Sequence, residues 1–194
     1  MNKLTNIFSL LLLSLVFFGC GKSKEINAIE EAVRLELEKP EGELTPEDYQ
    51  KLKKLSVYRV GKPVTDISLL NEMPNLEELD FAGGDISDPA PLAKLTKLWH
   101  LQIYGCGLKD FSTLTDMTLL EELMASSNQV SDLSSLKGLT KLRVLALNGN
   151  RIEDTSPLLE LKSLKWVNLQ GNPVSEQAIG DLKKALPGCK IEHD

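Results

Sequence analysis

Apolar residues return along this chain with a stride of 22: Leu76, Leu98, Leu120, Leu142 and Leu164 each open a run of the form Leu-x-x-apolar-x-apolar. The five copies read LEELDFAGGDISD, LWHLQIYGCGLKD, LEELMASSNQVSD, LRVLALNGNRIED and LKWVNLQGNPVSE. If the first Leu is position 1, the apolar positions 4 and 6 alternate with polar ones, which predicts a short strand with one buried face. A single strand cannot bury that face alone. Stacking the copies joins the strands into a parallel sheet and lines up further apolar columns behind it. These are position 11, position 17 (Leu70, Leu92, Leu114, Leu136, Leu158) and position 20 (Met73, Leu95, Met117, Leu139, Leu161).

Two polar columns complete the unit. Position 9 is Asn128, Asn150 and Asn172, where a side-chain amide can bond backbone groups left unpaired as the chain leaves the strand. Val60, Gly84 and Cys106 replace it in the earlier copies. Position 13 is Asp66, Asp88, Asp110, Asp132 and Asp154, each expected to cap a turn through the backbone rather than to hold a cation.

These letters resemble the leucine-rich repeat family, in its 22-residue, bacterial, internalin-like class. The resemblance covers about residues 26–194 and implies an α/β solenoid: a horseshoe with a short parallel sheet of about seven strands, a helical N-terminal cap and a C-terminal helix-plus-strand cap. An irregular first repeat opens at Leu52 and is 24 residues long, with two residues inserted around Gly61-Lys62-Pro63. Before it, Ile26, Ile29, Val33 and Leu37 form the stripe of an amphipathic helix, and Thr45-Pro46-Glu47-Asp48 starts a second. After the last full repeat, Ser175-Glu176 starts a helix that ends at Pro187-Gly188. Counting 22 on from Leu164 reaches Leu186, which places Cys189 and Ile191 at positions 4 and 6 of a terminal strand with Cys189 in the core.

The first residues have a different character. Lys3 precedes a 12-residue apolar run from Ile7 to Phe18, too short to span a bilayer and suited to an export signal. It ends at Phe17-Phe18-Gly19-Cys20, which resembles the bacterial lipoprotein signal, with Phe17 standing where that signal usually has Leu. The resemblance implies cleavage before Cys20 and its acylation. Two or three acyl chains make a stable anchor. The expected division is therefore a signal peptide at 1–19, a lipidated Cys and tether at 20–24, an N-terminal cap at 25–51, repeats at 52–174 and a C-terminal cap at 175–194. The expected location is the bacterial cell envelope, surface or periplasmic side open.

Composition narrows the chemistry. The chain has 194 residues and a net charge of -6, which disfavours binding to nucleic acid. Removing residues 1–19 takes away one charge, Lys3, and leaves 21 basic against 28 acidic residues. With three cysteines and two histidines, the chain suits neither a disulfide framework nor a histidine-rich catalytic site. Cys106, which lacks an activating partner nearby in sequence, reads as a structural thiol.

Alternation exposes positions 3, 5 and 7 on the concave face. The residues there that suit a partner are Tyr58, Glu78, Asp80, His100, Gln102, Tyr104, Glu122, Met124 and Trp166, since solvent-facing aromatics and Met among polar groups are common anchors. Trp99, at position 2, falls off the centre of that face. The family resemblance implies a non-catalytic, monomeric binder of a protein or glycan, without a cofactor. Two alternatives stand beside it: a structural, periplasm-facing envelope component, or a surface with chemistry. Glu78, His100 and Glu122 form a row that could supply oxygen and imidazole ligands to a metal, and Glu78 with Asp80 could be an acid–base pair. An open sheet favours neither, because it offers no converging pocket and no burial to shift a carboxyl.

Overall fold

The computed structural model describes residues 27–194. The signal peptide, the Cys20 lipidation site and the tether expected from the sequence lie outside the described residues. Seven strands, β1 (Lys54–Ser56), β2 (Glu78–Ala82), β3 (His100–Tyr104), β4 (Glu122–Met124), β5 (Val144–Ala146), β6 (Trp166–Asn168) and β7 (Lys190–Glu192), form one parallel sheet in chain order. Its register is the repeat itself: Leu55, Leu79, Leu101, Leu123, Leu145 and Val167 are successive partners, all fully buried. The first five connections return through a turn of 3₁₀ helix, such as Ser134–Leu136 or Ser156–Leu158. The position 17 and position 20 residues of those returns are buried without exception. The fold is an open leucine-rich repeat solenoid.

The asparagines hold the repeats together. The Asn150 carboxamide accepts from the Val130 N–H at 3.1 Å and donates to the Ala125 and Leu147 carbonyls at 3.0 and 2.8 Å. Asn172 does the same with Ile152, Leu147 and Leu169, and Asn128 with Cys106, Leu108, Ile103 and Ala125. Each side chain therefore bonds its own turn and the turn of the preceding repeat, pairing buried backbone groups that water cannot reach. Cys106 keeps one element of this pattern, its thiol donating to the Tyr104 carbonyl at 3.3 Å, and burial pushes the thiol up to about 11. That fits a structural thiol. Gly84 has φ +119°, and a Cβ there would lie 2.1 Å from the Val64 carbonyl oxygen. The backbone of the irregular first repeat thus fills the place an Asn side chain would need.

The position 13 aspartates cap the 3₁₀ turns. All five accept from the backbone N–H two residues on, at 2.8 to 2.9 Å: Ser68, Ala90, Ser112, Ser134 and Ser156. Hydrogen bonds from Ser112 and Ser134 hold the Asp110 and Asp132 carboxyls below the usual range.

The ends are closed differently. Helix α1 (Ala28–Glu36), capped by the Asn27 side chain accepting from the Ile29 N–H at 2.6 Å, lays Ala28, Ile29, Ala32 and Val33 onto β1 and the turn after it. Helix α2 (Pro46–Lys51) starts at Thr45, whose N–H donates to the Asp48 carboxylate at 3.1 Å. At the other end α3 (Glu176–Ala185) buries Ile179 and Leu182 and leads into β7. There the structure corrects the count from Leu186. Val167 pairs with Ile191, so Ile191 stands at position 4, Pro187-Gly188 adds two residues to the repeat, and Cys189 precedes the strand. Cys189 is half-buried at the edge of the core rather than inside it.

Replacing Asn150 with Ala leaves the Val130 N–H without its acceptor in a buried turn, while the Ala125 and Leu147 carbonyls each lose one of two amide donors and keep Asn128 and Asn172. Urea unfolding of Asn150→Ala is expected to show a loss of about 1–3 kcal/mol, the cost of one buried unpaired group. A loss below about 1 kcal/mol would show that the ladder does not hold the repeats.

Candidate functional site

The side of the sheet opposite the core carries the polar columns. Register places Glu78, His100, Glu122, Val144 and Trp166 side by side on successive strands, and likewise Asp80, Gln102, Met124, Ala146 and Asn168. Most are half-buried, because each packs against its cross-strand neighbours. Tyr104, at the end of β3, is 49% exposed and pairs in register with Ala82. With seven strands about 4.8 Å apart, the face runs about 29 Å along the stack.

Eight of the nine partner-facing residues expected from the sequence lie on this sheet face; Tyr58 does not sit on a strand. It belongs to the 3₁₀ turn Val57–Val60 that follows β1, and it is 69% exposed. The irregular first repeat turns into this 3₁₀ helix directly after Ser56, which removes Tyr58 from the column that Tyr104 occupies.

His100 links three strands. Its Nδ1 lies 2.8 Å from Glu122 Oε2 and its Nε2 lies 3.0 Å from Asp80 Oδ1. An imidazole carries one N–H when neutral and two when protonated, so one contact is a donated hydrogen bond in either state and both are in the imidazolium. The sequence suggested the row Glu78, His100, Glu122; the structure replaces Glu78 with Asp80, across the diagonal. Glu78 turns the other way, to Lys54 Nζ at 2.7 Å, and this contact raises the Lys54 ammonium above its ordinary value. The two ring nitrogens of His100 point to opposite sides, so its carboxylates do not converge with either nitrogen on one point, as a metal site requires. The same contacts bridge β2, β3 and β4. At the far end, Lys190 and the Trp166 indole N–H hold the Glu192 carboxyl below its usual range.

A groove on the rim was not anticipated. Trp99 at position 2 and Leu119 at position 22 are both exposed there, between Glu77, Glu121, Lys97 and Lys141. A sequence signal existed: the position 22 column runs Asn75, Lys97, Leu119, Lys141, with one apolar residue in a polar row.

Comparison with known proteins agrees with this architecture. Residues 118–160 match the model of a family described as leucine-rich repeats, two copies. No curated protein sequence matches the chain at a significant level. Among solved structures, the chain is similar to an internalin F of Listeria monocytogenes, with 26% identity and a TM-score of 0.63 over 86% of this chain and 54% of that one. The chain therefore spans about half the length of that internalin. An internalin C2 of the same organism matches with 23% identity and a TM-score of 0.65, over 86% of this chain and 85% of that one. A leucine-rich repeat protein of Leptospira interrogans matches with 22% identity and a TM-score of 0.55, over 67% of this chain and 40% of that one. The chain is thus a leucine-rich repeat solenoid similar in fold to the internalins, and its repeat fold suggests a protein-interaction domain.

Removing the His100 ring leaves Asp80 and Glu122 facing each other without their shared partner. His100→Ala is expected to lower stability by about 1 kcal/mol in urea unfolding. The wild type and the variant should take up equal, substoichiometric zinc after dialysis. Stoichiometric zinc lost with His100 would restore the metal reading.

Proposed function

We propose that this protein is a lipid-anchored, non-catalytic adaptor of the bacterial cell envelope that binds another protein through the concave face of its repeats. One observation carries the reading: half-buried Gln102 and Met124 side by side in one column, Trp166 two strands further on in the adjacent column, and Tyr104 projecting beside them, on a rigid sheet. Such a surface offers apolar anchors that lose little entropy on binding, because the backbone beneath them is already fixed. The acidic side chains Glu78, Asp80 and Glu122 surround the anchors at the N-terminal half and favour a partner with a complementary basic edge. The anchor rests on the Cys20 signal: a diacylated or triacylated Cys would hold the domain close to the membrane, since Gly21 to Lys24 reach at most about 14 Å.

Two measurements test this. Photo-crosslinking from position 102 on intact cells, followed by mass spectrometry, identifies the partner. Its affinity for a folded Tyr104→Ala, Trp166→Ala double variant is then expected to fall at least about tenfold, the scale of lost aromatic anchors. A Lys94→Ala variant on the opposite side should bind as the wild type does. Equal affinity for the double variant would remove the concave face from the interface. Separately, growth with a labelled fatty acid is expected to label the wild type and leave Cys20→Ala unlabelled; label retained by the variant would refute the lipoprotein assignment.

A further inference from the structure

The two edges of the sheet are finished differently. Helix α1 lies on β1 and covers that end, whereas among the described residues no strand pairs with the outer edge of β7. The Lys190 N–H donates to the Lys165 carbonyl at 2.9 Å, and the Glu192 carbonyl accepts from the Leu169 N–H at 2.8 Å. Residues 190 and 192 therefore turn their backbone groups towards β6. Alternate residues of a parallel ladder face opposite neighbours, which leaves the N–H and C=O of Ile191 on the open edge. The Ile191 side chain is half-buried at the end of the core, beside Cys189. This edge offers a donor, an acceptor and an apolar residue to a further strand.

Charge selects which strand that is. Lys190 and Glu192 flank Ile191 on the concave side, in register with Trp166 and Asn168. A short edge bearing opposite charges discourages pairing with an arbitrary sequence. The same strand reversed is the exception. About a two-fold axis at Ile191, Lys190 of each copy opposes Glu192 of the other, while the two Ile191 residues exchange both N–H···O bonds. A parallel arrangement would set Lys190 against Lys190 and Glu192 against Glu192, which is repulsive.

The side chains are free to make the exchange. Glu192 accepts from the Asn168 amide at 3.1 Å, which fixes it at the edge. Its present cation, Lys190 at 2.5 Å, is 70% exposed. Swapping the Glu192 of its own chain for that of a second copy leaves Lys190 paired, so the ions set partner and orientation. Backbone bonds and burial of Ile191 supply the affinity. A three-residue strand makes a small contact, of the transient class.

We propose that two copies of this chain associate through β7, edge to edge and antiparallel, in place of the monomer that the family resemblance implies. Opposed residues of an antiparallel pair point to the same side, so the two concave faces join into one. Two sheets of seven strands have thirteen spacings between them, which makes a joint face about 62 Å long with a helical cap at each end.

Sedimentation of the full-length chain in density-matched detergent is expected to show a dimer that grows with concentration up to about 1 mM. Lys190→Glu and Glu192→Lys each set like charges against one another on both sides of the axis, and each should weaken the dimer at least about tenfold. Mixing the two single variants brings unlike charges together again and should restore a hybrid dimer. The double exchange Lys190→Glu, Glu192→Lys should restore pairing with itself, and circular dichroism should be the same for all of these chains. Three results would overturn the proposal. They are a wild type that stays monomeric over the whole range, a dimer indifferent to both single reversals, or folded single variants that fail to associate when mixed.

Discussion

The three buried carboxamides of Asn128, Asn150 and Asn172 carry the constraint on which the rest depends. In each repeat the chain must leave the sheet through a turn inside the core, where its backbone N–H and C=O groups have no water to meet. The Asn side chain answers both needs at once, accepting from the preceding repeat's turn and donating to carbonyls of that repeat and its own. This sets the distance between turns and hence keeps the strands in register. The Leu columns then fill the space so defined. Hydrophobic burial supplies most of the driving force, but it is not directional; the amides fix which Leu meets which.

A face built on such a frame gains specificity from what stands on it rather than from its own shape. Strands β2 and β3 present three side chains each and β4 to β6 two, at fixed spacing, so the exposed residues can vary while the core columns do not. Here the N-terminal half of the face spends its polar groups on internal contacts: Lys54 on Glu78, and His100 on Asp80 and Glu122. These bonds hold the long side chains flat and leave Tyr104 standing above them. The C-terminal half uses small or apolar residues, Val144 and Ala146, before Trp166. These paired charges are therefore gathered on β1 to β4, around Tyr104 and Met124, and β5 carries none.

Much of this was legible in the letters, and the exceptions have physical causes. The Leu, Asn and Asp columns repeat often enough that each checks the others, so strand number, register in the middle of the stack and the turn-capping role of the aspartates could be read directly. The terminal strand could not. Cys189 and Ile191 are both apolar and two apart, so they satisfy the alternation in either of two frames. The frame is set after α3 ends at Ala185, where Pro187-Gly188 lengthens that repeat and moves Cys189 out of the core. Tyr58 was misplaced for a related reason, because the first repeat turns into a 3₁₀ helix after three strand residues. The bridge from His100 to Asp80 is a diagonal contact, and reading down one column does not reveal diagonals. The Gly at position 84 was visible as a departure from Asn, but its cause, the Val64 backbone lying where a side chain would go, required the fold.

The break in the amide ladder at Gly84 has a mechanical consequence. From Asn172 back to Cys106 the junctions between repeats are tied by buried carboxamides as well as by the sheet, whereas the two junctions before it have surface contacts such as Lys54–Glu78 and His100–Asp80 in place of that buried tie, beside the backbone pairing, the packed core and α1. A domain tethered through its N-terminus and pulled through a ligand would carry the load along the stack, and it would fail first where that lashing is absent. The first two repeats with their helical cap would then act as a weak link in series with a stiffer rod, yielding before the strands that bear Tyr104, Met124 and Trp166 are disturbed.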